Sequence, residues 1–260
     1  MSEDPGAARR ARMDALRAQE AAKAKRRKLL IFGGGGLAVL VVVGLVLGLT
    51  LSSSSSSKSS TATSAGSAGF CGNVAAGSPN NKQWANPPAL SIDTKATYTA
   101  TLKTSCGDIG LKLDAQHAPQ TVNSFVFLAK QGFFDHTKCH RLTTAGIYVL
   151  QCGDPTGTGT GGPGYKFNDE YLNDPAIQGG TYPAGTLAMA NSGPNTNGSQ
   201  FFLVYKDSQL SANYTPFGTI TSGLDILNRI AAGGTDSSNG QGDGHPNDNV
   251  VINSVMAAKQ

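Results

Sequence analysis

The 260-residue chain carries 21 basic and 17 acidic side chains, but nine of the basic and four of the acidic ones fall within residues 1 to 28. The basic balance is therefore a property of the tail, and it argues against nucleic acid as a partner of the folded part. Composition also excludes a chain that is globular throughout, because only the last two thirds has the mixture of apolar and polar residues that a core requires.

Residues 1 to 28 alternate Ala with Arg, Lys and Glu, as suits a solvated, partly helical tail. Residues 29 to 51 (LLIFGGGGLAVLVVVGLVLGLTL) contain no charge, and a helix of that length, at about 1.5 Å per residue, crosses a hydrocarbon core of about 30 Å. Arg26, Arg27 and Lys28 abut it on one side only. The positive-inside rule then puts the N-terminus in the cytoplasm and everything after Ser52 across the membrane. A cleaved signal peptide is the competing reading, although its apolar region is usually shorter, about 7 to 15 residues. Residues 52 to 69 hold no large apolar side chain and read as a flexible serine-rich tether. Residues 70 to 96, with Pro87, Pro88 and the sole tryptophan, Trp84, read as an extended lead-in that packs on the domain spanning residues 97 to 260.

Within that domain TYTATLKT, a turn around Ser105 to Gly107, and DIGLKLD form a hairpin, with Ile109, Leu111 and Leu113 alternating as in a half-buried strand. After Pro119, Val122, Phe125, Leu128 and Ala129 fall on one helical stripe, and Gly132 is placed to end the helix. Short apolar runs at 139–142, 147–152, 186–190 and 201–205 are separated by glycine-rich loops. Ser222 is placed to cap a second helix carrying Leu224, Leu227 and Ile230, with Gly233 after it, and VVINSV supplies a final strand. Many short strands and two helices predict an all-β barrel closed by helices.

Cys71, Cys106, Cys139 and Cys152 form an even set beyond the apolar stretch, without CxxC pairs or zinc-like spacings. In an exported domain this favours disulfides over metal or redox chemistry, and three connectivities are open. Gly157, Gly159 and Gly162 formally satisfy GxGxxG, but Pro163 and Gly164 follow at once and no helix can start there. There is no GxxxxGK[ST] loop, HExxH or GxSxG, so nucleotide, zinc-protease and serine-hydrolase readings lack their motifs. His140 reads as a packed or hydrogen-bonded histidine rather than a catalytic base.

The run CHRLTTAGIYVLQCGDPTGTGTGGPGYKFNDE at 139–170, with GTLAMANSGPNTNGSQFFLVY at 185–205, resembles the two signature blocks of the cyclophilins, and the resemblance extends over about residues 97 to 256. It looks most like the membrane-anchored actinobacterial members. The resemblance implies a mainly β fold, a closed antiparallel eight-stranded β-barrel capped by two α-helices and preceded here by a single transmembrane helix. It also implies peptidyl-prolyl cis-trans isomerase activity on proline-containing polypeptides, needing no cofactor and no metal. Arg141 and Gln151 would then be the catalytic pair. Asn191 and Gln200 complete the groove, and Tyr148, Val149, Ala190, Phe202, Leu210 and Tyr214 form the proline pocket. Two extra residues between Arg141 and Gln151 disturb the alignment within 143–148. Tyr214 replaces the family's pocket histidine. Gln209 replaces the tryptophan of many eukaryotic members, which implies only weak binding of cyclosporin. A proline-peptide binding or chaperone module without turnover is the alternative, and a purely structural envelope protein is a second one. If Arg141 and Gln151 both face the groove, strand alternation puts Cys139 and Cys152 on opposite sides. That disfavours a Cys139–Cys152 bond and leaves Cys71 to pair with either of these two.

Overall fold

The computed structural model describes residues 70–260, and the tail, the apolar stretch 29–51 and the serine-rich tether lie outside them. Among the described residues no helix is long and apolar enough to cross a membrane. The architecture is mainly β, with a curled antiparallel sheet and two helices. The strands of the large sheet are ordered β11-β4-β5-β8-β7-β10-β2-β1-β12-β3, where β1 is Tyr98–Thr104, β2 Gly107–Leu113, β3 Thr137–Lys138, β4 Arg141–Thr143 and β5 Val149–Cys152. The later members are β7 (Thr186–Met189), β8 (Phe201–Val204), β10 (Pro216–Ser222), β11 (Asp243–Gly244) and β12 (Val251–Lys259), while β6 (Thr181–Tyr182) and β9 (Ser208–Gln209) pair separately. The helices are α1, Pro119–Lys130, and α2, Leu224–Gly233.

The hairpin forms as its alternation requires. Tyr98, Ala100 and Leu102 on β1 and Ile109, Leu111 and Leu113 on β2 are all buried, and the strands pair from Tyr98–Leu113 to Thr104–Gly107. In α1 the expected stripe of Val122, Phe125, Leu128 and Ala129 is buried together with Thr121, Asn123, Ser124 and Val126. Phe125 meets Phe134, Phe201 and Phe217 at ring separations of 5.1, 5.6 and 5.5 Å, in the middle of the main core. Interlocked aromatic rings of this kind bury large areas and add specific edge contacts.

β7 and β8 are buried along their whole length. Because side chains alternate across a strand, Leu187, Met189, Phe201 and Leu203 enter the main core, whereas Ala188, Phe202 and Val204 join a second, smaller core with Val149, Ile177 and Tyr182. That second core lies under the cavity described below.

Two expectations are corrected. Ser222 does not cap α2: it ends β10, paired with Gly110, and the cap position is Gly223 at φ +84, where a Cβ would stand 2.7 Å from the Asp108 carbonyl oxygen. The close strand approach therefore needs a glycine, and leaves no room for a side-chain cap. The disulfides are Cys71–Cys106 and Cys139–Cys152. Alternation holds only within an unbroken strand, and the chain leaves sheet geometry at Cys139 and His140, between β3 and β4. Cys139 thereby turns into the main core beside Cys152 although Arg141 faces the other way.

The lead-in packs on the domain as expected. Trp84 stacks edge-on against Phe127 at 5.1 Å and packs on Phe133 at 5.8 Å. Asn123, 2 % exposed, spends its side chain entirely on this segment: its Nδ2 donates to the Pro88 and Ala89 carbonyls, and its Oδ1 accepts from the Ser91 N–H and hydroxyl. Replacing Asn123 with Ala strands those lead-in groups and should cost about 1–3 kcal/mol. Thermal denaturation of residues 70–260 should show melting lowered by about 2–4 °C for each kcal/mol, and an unchanged melting curve would contradict this role.

Candidate functional site

Arg141 on β4 and Gln151 on β5 are direct cross-strand partners, so their side chains leave the same face of the sheet. Gln151 in turn opposes Phe202 on β8, and Val149 opposes Val204. Alternation then brings Val149, Gln151 and Phe202 to one side. With Arg141, Ala190, Asn191, Leu210, Tyr214 and Ile147 they line a cavity of about 160 Å³. A space of this size is well below that of a drug-sized pocket and suits one small ring or side chain. Its floor is aromatic and aliphatic: Phe202 and Tyr214 meet edge to face at 5.6 Å. The Tyr182 hydroxyl donates to the Tyr214 carbonyl and accepts its N–H. Burial pushes the Tyr182 phenol up to about 12, so the ring stays neutral and the support constant.

The polar rim is ordered by a continuous set of hydrogen bonds. Arg141 Nε and Nη2 donate to the two carboxylate oxygens of Asp243 at 2.9 and 2.7 Å, and Nη1 donates to Gln151 Oε1 at 3.3 Å. Gln151 Nε2 donates to Gln200 Oε1 at 2.8 Å, and Gln200 Nε2 donates to the Gly161 carbonyl at 2.9 Å. The Arg141 side chain is about one third exposed. A two-point fork with Asp243 fixes the guanidinium's plane, and with one Nη1–H on Gln151 two of its five N–H groups are left for a ligand. The Asp243 bond strengthens the guanidinium's hold on its proton against the opposing effect of burial. The same bond holds Asp243's carboxyl below the usual carboxylate range.

The glycine run is explained by Asp154, which is fully buried. Its carboxylate accepts N–H bonds from Thr156, Thr158, Gly159 and Gly161 and a bond from the Thr156 hydroxyl. Burial opposes its charge, but the Thr156, Gly161 and Gly159 bonds outweigh this and hold its pKa below the ordinary value. The loop thus cradles an anion of its own chain. Gly153, at φ +87, allows the start of this loop to pass the Ser199 carbonyl, which a Cβ would approach to 2.3 Å. His140 is packed, with neither ring nitrogen bonded, and burial lowers its pKa, so it stays neutral.

Of the residues expected at the site, Arg141, Gln151, Val149, Ala190, Asn191, Phe202, Leu210 and Tyr214 converge on the cavity. Gln200 lines a neighbouring cavity of about 480 Å³ that shares Gln151, Ala190 and Asn191. Tyr148 does not line the pocket. Its N–H donates to Ser208 Oγ, and its ring packs on Tyr205 at 6.0 Å beneath the Lys206 ammonium. Val149 and Gln151 face the cavity from β5, whereas Ile147 and Tyr148 precede that strand, and the bend there brings Ile147 to the cavity and leaves Tyr148 outside it. Asp243, 102 positions from Arg141, had no local signal. Gln209 donates to Thr181 on the two-stranded sheet, outside the cavity lining. Among the described residues no group of three or more His, Cys, Asp or Glu could hold a metal ion.

Residues 99–257 match the family model described as cyclophilin type peptidyl-prolyl cis-trans isomerase/CLD. The chain is 56% identical over 179 residues to a Mycobacterium leprae protein named "Probable peptidyl-prolyl cis-trans isomerase B", and 53% identical over 174 residues to its Mycobacterium tuberculosis namesake. Those matches cover 65% and 62% of this chain but only 60% and 54% of the two relatives, so the chain spans less than two thirds of their length. A Cryptosporidium parvum cyclophilin type peptidyl-prolyl cis-trans isomerase crystal structure superposes with a TM-score of 0.53 at 31% identity, covering 63% of this chain and 99% of that one. The same protein, solved in the presence of the dipeptide Ala-Pro, gives 0.52 at 30% identity, covering 62% and 99%.

The depressed pKa of Asp243 gives a prediction with a definite sign. Its fork with Arg141 should persist at all pH values above the ordinary carboxylate value of about 3.9 and be lost only as pH falls through the lower folded value. The Arg141 Nε–H resonance, followed by 15N NMR during acid titration, should remain in place down to about pH 4. Its loss between about pH 5 and 6 would show that Asp243 does not hold the guanidinium.

Proposed function

The chain belongs to the cyclophilin-type peptidyl-prolyl cis-trans isomerase family, and from this membership and the geometry of the site we propose that it accelerates X-Pro isomerisation in polypeptides. The carrying observation is the Arg141 guanidinium, held flat by Asp243 and Gln151 at the rim of a cavity sized for one small ring.

Rotation about a peptide bond meets a barrier of about 18–20 kcal/mol because the nitrogen lone pair is delocalised into the carbonyl. Both X-Pro isomers are accessible, so only the rate needs changing. No bond must break and no proton must move; the site has to bind the twisted amide better than either planar form. With the pyrrolidine against Phe202, Val149, Leu210 and Tyr214, an N–H of Arg141 bonds the lone pair that twisting frees at the prolyl nitrogen. Gln151 and Asn191 hold the flanking substrate backbone, so that one side is fixed while the other turns. Arg141 suits this task because it is charged at every relevant pH and presents its donors in a rigid plane.

The fold and location belong to the same proposal. Eight of the twelve strands are longer than two residues, and β3, at one end of the sheet, is separated only by Cys139 and His140 from β4, which lies next to the other end, which supports a closed eight-stranded barrel. The apolar stretch 29–51 and its flanking Arg26, Arg27 and Lys28 support a single-pass anchor with the N-terminus in the cytoplasm. All four cysteines are paired, in keeping with an oxidising compartment on the far side. Gln209, in the position of the tryptophan of many eukaryotic members, supports weak cyclosporin binding.

Protease added to intact cells should release a fragment near residues 70 to 260, and complete protection would overturn the orientation. For the chemistry, a protease-coupled proline-isomerisation assay on residues 70–260 is decisive. Folded Arg141→Ala should lose on the order of 100-fold in turnover with little loss of peptide affinity. Arg141→Lys should recover only part, since it keeps the charge but not the fork. Phe202→Ala should weaken peptide binding as well. Wild-type turnover by folded Arg141→Ala would refute the assigned role, and peptide binding without turnover by the unaltered protein would make it a binding module.

A further inference from the structure

The family model begins at residue 99, yet one wall of the cavity adjoining the catalytic pair comes from upstream of it. Gln83 lines the 480 Å³ cavity together with Gln151, Gln200 and Asn191. Its Nε2 donates to the Gly162 carbonyl at 2.7 Å, and the N–H of Trp84 donates to the Pro163 carbonyl at 2.9 Å. These bonds clip the lead-in to the far side of the glycine loop whose Gly161 carbonyl orients Gln200. Contact here is close: a Cβ on Gly164, itself at φ +90, would stand 2.8 Å from the Trp84 carbonyl oxygen. The segment is anchored on either side of Gln83. Cys71–Cys106 ties its start to the β1–β2 turn, Asn80 Nδ2 donates to the Gln131 and Gly132 carbonyls, and Trp84 is wedged against Phe127 and Phe133. Gln83 is exposed, and with one Nε2–H on the Gly162 carbonyl its other N–H and its Oε1 are open to a ligand.

The two cavities share Gln151, Ala190 and Asn191, so a polypeptide whose proline fills the smaller one places a neighbouring side chain in the larger. That space presents carboxamides and loop backbone, and Lys166 is the one charged residue among its lining. Resting on the isomerase reading above, we infer that the lead-in is part of the substrate groove and that Gln83 is a specificity-determining residue. It favours a long polar side chain, glutamate or glutamine, close to the proline, because such a group can bond the Gln83 carboxamide and approach Lys166, whereas an aliphatic chain would desolvate both.

The test uses the full-length chain in detergent and two sets of proline peptides with glutamate or leucine at positions flanking the proline. Activity (kcat/KM) and calorimetric Kd are both measured. The unaltered protein should prefer the glutamate peptides, and Gln83→Leu should reduce that preference roughly three- to tenfold, the worth of one net hydrogen bond. Asn80→Ala, which removes a lead-in anchor outside both cavities, should lower the melting temperature and leave the preference as it was. Arg141→Ala should slow all peptides alike, which separates failure of the catalytic reading from failure of this one. If no peptide is turned over, the Kd ratio still decides. A glutamate-to-leucine ratio of one in the unaltered protein, or an undiminished ratio in Gln83→Leu, would overturn the inference.

Discussion

Strands β5, β8 and β7 have no solvent face over most of their length, and this double burial is the constraint on which the site depends. Each alternate residue must satisfy one of two cores. Leu150, Cys152, Phe201, Leu203, Leu187 and Met189 fill the larger one; Val149, Phe202, Val204 and Ala188 fill the smaller. A slip of one residue in β5 would put Gln151 into the aromatic core, and a slip in β8 would put Phe201 at the rim. The register that keeps the main core apolar is thus the register that presents Gln151 beside Arg141. Stability and site geometry are specified by the same side chains.

On that platform the polar groups have to be held without mobility, and they are held by one another. A half-buried guanidinium is costly unless paired, and Asp243 pairs it through both oxygens. Each carboxamide in the chain Gln151, Gln200 donates to the next acceptor, ending on the backbone of the glycine loop. That loop is itself kept in shape by a buried carboxylate, Asp154, which takes the place a bound anion would hold in a phosphate loop. Few of these groups are free to rotate, and a donor that needs no reorganisation during reaction is worth more than a mobile one.

The lead-in extends this logic upstream of the residues that match the family model. It has no regular secondary structure, yet it is fastened by a disulfide, by the buried Asn123 and by Trp84. A segment without a sheet or helix ladder must have its backbone groups satisfied elsewhere. Here the side chains of α1 and the carbonyls of the glycine loop supply partners. Its role in the groove follows from where those partners happen to be.

The amino-acid sequence by itself determined the mainly β class, the first hairpin, α1 with its apolar stripe and most residues of the smaller cavity, though not Ile147, because periodicity and sequence motifs are local properties. Tertiary structure alone decided what depends on distant segments or on a break in regular geometry. Asp243 meets Arg141 only through the pairing of β11 with β4. The Cys139–Cys152 bond exists because the chain departs from strand alternation at two residues between β3 and β4. Gly223 displaces the expected Ser222 cap because β2 passes too close for a Cβ, and Gln83 reaches the groove because the lead-in is folded back over the glycine loop. None of these contacts leaves a periodic or compositional trace, since each is a meeting of residues that the chain keeps far apart until it folds.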